Sequence, residues 1–182
     1  MARISRINNR DDRRRVNDRD EKRRDDYNEE RENVFADIQK KYILQLIKSR
    51  DVNSISSDCV DEIRYIMNHF LVYMFEQFSD DGRPTTAESS DVKSYMSFYL
   101  EDEEKELPQE VVLPSREMEK AILSVCDRFR IRIRRDVLTL VHMFLECIVF
   151  KIIKGALIIG DLGKTKRLSG KEIKAAYKIY MM

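Results

Sequence analysis

The feature that most constrains this chain is a medium, long, short pattern of apolar stretches that occurs twice. In the first half, apolar residues recur at three- and four-residue steps near 34–49, 58–78 and 88–100. This spacing predicts three amphipathic helices. The second half repeats the order near 115–128, 136–160 and 170–181. The sequence therefore predicts an all-α protein built from a duplicated helical triplet.

The scarcity of glycine and proline supports the same fold class. The 182 residues include only 5 Gly and 3 Pro, and these are the residues that hairpins, tight βα turns and phosphate loops require. A β-sandwich, a dinucleotide-binding fold and a phosphate-loop enzyme are all disfavoured. Residues 163–165 read GKT, but the glycine required ahead of them in a phosphate loop is absent.

Residue types that carry chemistry are sparse and widely separated. The three cysteines, Cys59, Cys126 and Cys147, lack the spacing of a zinc module or a disulfide framework. The two histidines, His69 and His142, fall on predicted long helices, where we expect them to serve packing. Since the sequence offers no general acid and base pair, we expect no enzymatic activity, no metal, no cofactor and no small-molecule substrate.

Charge divides the chain into unlike segments. Residues 1–32 contain eleven Lys/Arg and ten Asp/Glu with almost no apolar content, so we expect a disordered mixed-charge tail. Residues 33–114 carry a balance of −8 and residues 115–182 a balance of +8. We expect two helical domains, 33–100 and 115–182, which attract each other and are joined by an acidic connector at 101–114.

The most apolar stretch, 136–160, invites a comparison with membrane spans. It includes His142, Glu146, Lys151 and Lys154, and charged residues near the middle of a span cost several kcal/mol. We therefore expect a helix buried in protein, with no membrane partner.

Neither triplet can bury its apolar residues alone, because the apolar positions of its long helix extend around too much of the helix circumference. Two triplets can bury each other if their long helices cross antiparallel. This arrangement places the loop after the first helix of one triplet beside the loop before the third helix of the other. One pair of loops would join Arg50 with Lys164, Lys166 and Arg167, and the other would join Arg83 with Arg130, Arg132, Arg134 and Arg135. Basic side chains beside helix N-termini are suited to successive phosphates of a duplex.

Short motifs at these positions resemble the histone fold, and more closely a doublet of two fused core histones. FLEC at 144–147 and KTKRLSGKEIKAAY at 164–177 are similar to the long helix, second loop and third helix of histone 2A. ISSDCVDEIRYIMNHF at 55–70 and RPTTAESSDVKSYMSFYL at 83–100 are similar to the corresponding parts of histone 2B. The order, 2B-like and then 2A-like, resembles the doublets of Marseillevirus-type giant viruses.

The resemblance implies a function and partners. Arg167 and Arg83 would be second-loop arginines that enter the minor groove of DNA, and Arg132 or Arg134 would be the first-loop equivalent. The implied partners are double-stranded DNA and a second histone pair or doublet, histone 4–3-like, in nucleosome-like particles. The implied location is chromatin in a viral factory or the host nucleus, and the virion.

Some positions depart from the family pattern. At the acidic surface patch of histone 2A, this chain keeps Glu146 but has Lys151 and Lys154 where further glutamates would stand. A net charge of +1 is low for a histone, which implies a shallower salt dependence and looser particles. The alternative is a histone-fold module that binds proteins and contacts DNA little, and the acidic first half favours it.

Overall fold

A computed structural model describes most of the predicted helical regions: residues 33–49, 52, 54–79, 83, 85–100, 111–163 and 167–181. Residues Asn33–Met182 form one compact unit. The predicted tail, 1–32, and residues 101–110 of the predicted connector lie outside the described residues.

Within the described residues, the chain forms six helices and two short strands, in the order of two triplets. The first triplet contains α1 (Lys40–Lys48), α2 (Cys59–Phe78), β1 (Thr85–Ala87) and α3 (Ser89–Tyr99). The second contains α4 (Ser115–Arg128), β2 (Ile131–Ile133), α5 (Arg135–Leu162) and α6 (Gly170–Tyr180). The predicted all-α class is confirmed, and each strand lies in a segment that the sequence predicts as loop.

The first helix begins later than the apolar spacing predicts. Residues 34–38 form turns, because the Asn33 side chain accepts the Phe35 N–H at 3.0 Å and the Asn33 carbonyl accepts the Ala36 N–H at 2.9 Å. Asparagine favours such local bonds over helix. Phe35 and Ile38 are nevertheless fully buried, so the periodicity predicted burial correctly and helical structure wrongly.

The sequence predicts serine caps for two helices, Ser56 or Ser57 for the first long helix and Ser169 for the last, and the two outcomes differ. Asp58, not a serine, precedes α2, and its side chain makes no capping bond. The Ser56 N–H instead donates to the Leu168 carbonyl at 2.8 Å, which holds this segment extended. Ser169, the predicted cap of the last helix, accepts the Lys171 N–H and completes a capping box with Glu172.

The core is shared between the triplets. Phe144 of α5 packs edge-to-face with Phe70 of α2 and Tyr95 of α3, with ring centroids 6.4 and 5.7 Å apart. The third helix of each triplet packs against the long helix of the other, and α6 also packs against α5. Buried apolar residues of both triplets form one continuous cluster. Each triplet therefore covers apolar surface that the other would expose to water.

The C-terminal end of α3 is held by residues of the second triplet. The Tyr99 carbonyl accepts hydrogen bonds from Lys151 Nζ at 3.2 Å and from the Tyr180 hydroxyl. Lys151 Nζ also lies 5.0 Å from the centre of the Tyr180 ring. These bonds satisfy a carbonyl that has no partner inside its own helix, so α3 depends on the second triplet for its end as well as for its packing.

The long apolar helix α5 is covered by protein on much of its surface. Its polar residues His142 and Glu146 are both buried inside the molecule. Among the described helices, none has the length and apolar character needed to cross a membrane.

Candidate nucleic-acid interface

The two triplets meet at a short parallel strand pair, as the predicted juxtaposition of loops requires. Thr85, Thr86 and Ala87 of β1 pair with Ile131, Arg132 and Ile133 of β2, and the Thr85 N–H donates to the Arg130 carbonyl at 3.3 Å. We call the surface formed by residues 83, 85–88 and 130–136 the strand edge. It joins the segment before α3 to the segment before α5, and it brings arginines of both triplets to one side of the molecule.

Every predicted arginine of the strand edge is exposed, and these residues are Arg83, Arg130, Arg132, Arg134 and Arg135. Arg132 occupies the centre of β2, where the neighbouring Ile131 is buried. Since side chains alternate along a strand, burial of Ile131 directs the Arg132 side chain to solvent.

Acidic side chains that the sequence analysis did not consider lie among these arginines. Arg134 Nη2 lies 3.0 Å from Glu88 Oε2, and its Nε lies 3.8 Å from Asp136 Oδ1. All three side chains are at least half exposed, so water and salt screen the pairs. Arg134 is therefore partly neutralised before any ligand arrives, in contrast to Arg132, which has no ion pair with a described residue.

Two helices begin at the strand edge, and their N-termini differ. The first turn of α3 is closed by a capping box, in which the Glu88 N–H donates to Asp91 Oδ2 at 2.8 Å. The first turn of α5 follows Arg134 and has no capping bond from that side chain. Free N–H groups and the positive end of the helix dipole favour an anion at such a position. The N-terminus of α5 thus adds to the positive charge of the arginines, although the carboxylate of Asp136 in its first turn offsets part of this effect.

The turn into β2 uses an unusual backbone conformation. Arg130 has a φ of 56°, in the left-handed region that favours glycine. This conformation costs a residue with a side chain about 1–2 kcal/mol. It lets the Arg130 carbonyl reach the Thr85 N–H, so the turn that places Arg130 at the edge also connects the two triplets.

The second pair of loops meets at an isolated parallel bridge between Ile55 and Leu168. We call residues 54–58 and 167–172 the bridge edge. The Leu168 N–H donates to the Ser54 carbonyl at 3.0 Å, and exposed Arg167 donates through Nη2 to the Ile55 carbonyl at 2.9 Å. Arg167 thus lies beside the segment that precedes α2, and its guanidinium already holds that segment. The other predicted residues here, Arg50, Lys164 and Lys166, lie outside the described residues.

Two carboxylates, Asp58 and Glu172, offset the two cations of the described bridge edge, Arg167 and Lys171. A hydrogen bond from Ser56 and another from the Gly170 N–H lower the pKa of Asp58 below its ordinary value. Hydrogen bonds from the Ser169 side chain and backbone likewise lower the pKa of Glu172. Both groups are ionised at neutral pH, so the bridge edge is electrostatically less favourable to phosphate than the strand edge.

Glu146, which the sequence comparison placed on an acidic surface patch, is fully buried. Its carboxylate accepts the Val112 N–H at 3.0 Å and the Leu113 N–H at 2.6 Å, and it lies 3.2 Å from His142 Nε2. The expectation of an exposed Glu146 is therefore wrong. The i, i+4 spacing of His142 and Glu146 on one helix face could have predicted their contact, but only the tertiary fold supplies the backbone donors.

The remaining chemistry-bearing residues have structural surroundings. Burial raises the pKa of the Cys59 thiol to about 11 and that of Cys126 to about 12, so both thiols are protonated at neutral pH. A hydrogen bond of 2.8 Å joins His69 Nδ1 and the Tyr177 hydroxyl. In the part of the chain that the structure describes, no group of three or more His, Cys, Asp or Glu side chains is placed to hold a metal ion.

Comparison with known proteins yields similarity in structure only. No protein-family model matches the sequence, and no curated protein does. The fold is similar to the crystal structure of the histone from Methanopyrus kandleri, with a TM-score of 0.60 and 14% sequence identity. The match covers 77% of this chain and 93% of that chain. Since each triplet is well under half of the chain, the match includes parts of both, and the predicted histone fold is confirmed.

Proposed function

We propose that this chain is a viral core-histone doublet, with a 2B-like half at 33–100 and a 2A-like half at 115–182. It binds and wraps duplex DNA without sequence specificity in nucleosome-like particles and compacts a viral genome. The histone fold of the paired triplets supports the proposal. The order of the halves, the viral origin and a location in chromatin and the virion rest on the motif resemblance.

The observation that carries DNA binding is the strand edge. Five exposed arginines from two triplets lie there beside the uncapped N-terminus of the longest described helix. A duplex backbone presents phosphates at regular intervals, and several fixed cations with a helix N-terminus can neutralise neighbouring phosphates. Such contacts carry no base information, which fits packaging without sequence specificity.

The arginines of the two edges are not equivalent in this proposal. Arg132 and Arg83 are the strongest candidates for phosphate or minor-groove contact, because both are exposed and Arg132 has no ion pair with a described residue. Arg134 contributes less, since Glu88 and Asp136 already offset its charge. Arg167 contributes through the guanidinium nitrogens that do not hold the Ile55 carbonyl.

A second histone pair is the proposed protein partner, and exposed apolar residues near the C-terminal ends of both third helices support it. The tenth residue of α3, Phe98, is 83% exposed, and the tenth residue of α6, Ile179, is 66% exposed. Beside Phe98 lies a groove of about 750 Å³ lined by Tyr73, Phe78 and Tyr95. The C-terminal ends of the two helices adjoin each other through the hydrogen bond of the Tyr180 hydroxyl to the Tyr99 carbonyl. Large exposed apolar side chains there suit docking of helices of a partner protein.

The alternative is a histone-fold module that binds proteins and contacts DNA little. The ion pairs of Arg134, the ionised carboxylates of the bridge edge and the net charge of +1 favour it. The two functions differ in what they predict for DNA. A packaging histone protects a fragment from nuclease, whereas an interaction module does not.

The test reconstitutes the full chain with a 4–3-like histone pair on a duplex of about 150 base pairs. Gel shift and nuclease digestion are followed across a salt series for the wild type and for Arg132→Ala. Loss of one phosphate contact lowers the slope of log affinity against log salt by about 0.9. The control is Lys178→Ala, which removes an exposed cation outside both edges and leaves the slope unchanged.

Two results would argue against the proposal. An absence of any protected fragment with the wild type supports the interaction module. If fragments are protected but the double variant Arg83→Ala, Arg132→Ala keeps both affinity and salt slope, DNA lies on another surface and the assignment of the strand edge is wrong.

A further inference from the structure

The outer face of α2 carries a row of aromatic rings that lies outside both the strand edge and the bridge edge, and one of them, Tyr73, also lines the groove beside Phe98. Tyr65, His69 and Tyr73 follow each other at four-residue steps, so they lie on one face of the helix. The ring centroids of Tyr65 and His69 are 6.3 Å apart, and those of His69 and Tyr73 are 6.1 Å apart, in stacked orientations. Tyr65 and Tyr73 are each 39% exposed. We call these three residues the aromatic stripe.

The stripe is braced from one side by the second triplet. Tyr177 of α6 meets Tyr65 and His69 edge-on, with centroids 6.3 and 5.8 Å away, and its hydroxyl lies 2.8 Å from His69 Nδ1. Burial raises the pKa of Tyr177, so its neutral phenol can donate to a neutral imidazole. Burial also lowers the pKa of His69, an effect that the nearby Glu76 carboxylate opposes. The middle ring is therefore uncharged at neutral pH and does not repel a cation.

Carboxylates flank the stripe at both ends. Asp61 and Glu62 precede Tyr65 by four and three residues, and Glu76 follows Tyr73 by three, which places all three on the same helix face. The Asp61 side chain is 81% exposed and pairs with Arg64 at 3.4 Å. On α2 itself the face thus combines ring surfaces, which attract cations through their quadrupole, with three carboxylates and one cation, Arg64.

The combination of aromatic rings and carboxylates favours one class of ligand over others. Phosphates are repelled by the carboxylates, so duplex DNA is a poor ligand here. A purely apolar helix would have to remove those carboxylates from water without pairing them, which is costly. A guanidinium group interacts favourably with both the rings and the carboxylates. Its planar face stacks on an aromatic ring while its N–H groups pair with a carboxylate.

We propose that the aromatic stripe, with Asp61, Glu62 and Glu76, is a docking surface for an arginine-bearing peptide segment of a partner protein. The surface lies on the first triplet and includes neither the strand edge nor the bridge-edge arginine. Peptide binding and DNA binding are therefore separable properties of the chain.

The test measures binding of a fluorescein-labelled ten-residue peptide of alternating Arg and Gly to the full chain by fluorescence anisotropy. Tyr65→Leu keeps apolar bulk and removes the ring, so affinity falls about two- to fivefold, the equivalent of one cation–π contact. Tyr65→Phe retains the ring and keeps the affinity near that of the wild type. Glu62→Gln weakens binding and makes it less dependent on salt.

Matched controls separate this surface from general attraction to acidic protein. Tyr42→Leu removes a half-buried ring of α1, and Asp161→Asn removes an exposed carboxylate of α5; neither changes the affinity. A peptide of alternating Glu and Gly does not bind. The proposal is overturned if Tyr65→Leu, shown by its melting curve to be folded, binds the arginine peptide as tightly as the wild type. Equal losses in Tyr42→Leu would also overturn it.

Discussion

Replacement of Glu146 by alanine tests the buried carboxylate most directly. In the wild type this side chain is fully buried. It accepts the backbone N–H groups of Val112 and Leu113, which immediately precede α4, and it contacts His142 of its own helix. The carboxylate thereby ties the segment that enters the second triplet to the middle of α5.

The expected cost follows from the donors that lose their acceptor. Alanine leaves two backbone N–H groups without a partner, and the Leu113 residue is only 2% exposed, so water cannot readily replace the carboxylate. A hydrogen bond to a charged group contributes about 1.5–3 kcal/mol. Two such bonds give a loss of about 3–6 kcal/mol in the free energy of unfolding. For a unit of this size, that loss lowers the melting temperature by about 10 °C or more.

Circular dichroism during thermal and urea unfolding provides the assay. Glu146→Gln retains one carbonyl oxygen as an acceptor, so we expect an intermediate loss. Asp161→Ala is the matched control, because it removes an exposed carboxylate from the same helix and should change stability by less than about 0.5 kcal/mol. A cost below about 1 kcal/mol for Glu146→Ala would refute the reasoning, since it would mean that the two N–H groups find other partners at little expense.

Three further predictions concern the backbone, a helix cap and the dependence of the triplets on each other. Arg130→Gly relieves the positive φ and should raise the free energy of unfolding by about 0.5–1 kcal/mol, and a lower melting temperature would contradict this. Ser169→Ala removes a cap and should cost about 1 kcal/mol, with exposed Ser90→Ala as the neutral control in urea unfolding. Residues 33–100 and 115–182, expressed separately, should give no cooperative melting alone and regain it when mixed; a dilute half that melts cooperatively would overturn the shared core.

The lowered pKa of Glu172 makes the contribution of the Ser169–Glu172 capping box to stability depend on pH. Because the folded-state pKa of Glu172 lies below its ordinary value, its contribution to stability is complete above that ordinary value. The contribution is lost as the pH falls through the lower folded-state pKa. Ser169→Ala removes the principal cause of the shift, so we expect the difference in stability between wild type and variant to shrink on acidification. A difference that stays constant down to pH 2 would argue against this linkage.

Some of the candidate interface could be predicted from the sequence. The opposition of the two loop pairs follows from a duplicated triplet that cannot close a core alone, and the contacts of Thr85 with Arg130 and of Ile55 with Leu168 confirm it. The ion pair of Arg134 with Glu88 could not be predicted, because its partners are remote in sequence and meet only when β1 and β2 pair. The sequence predicts loops where the structure has β1 and β2. Strands of three residues are too short to show the alternation of buried and exposed side chains.

The sequence by itself determined the number, order and type of the helices that the structure describes, because burial at the helical period leaves a regular trace in the residue pattern. It also determined that serine caps the last helix, since that signal is local. Tertiary structure alone decided whether a given polar side chain faces water or the interior. Glu146 shares its helix face with apolar residues, and only the approach of Val112 and Leu113 satisfies it there. The reason is that periodicity records which residues lie on one face, whereas burial of a charge depends on donors brought from another part of the chain.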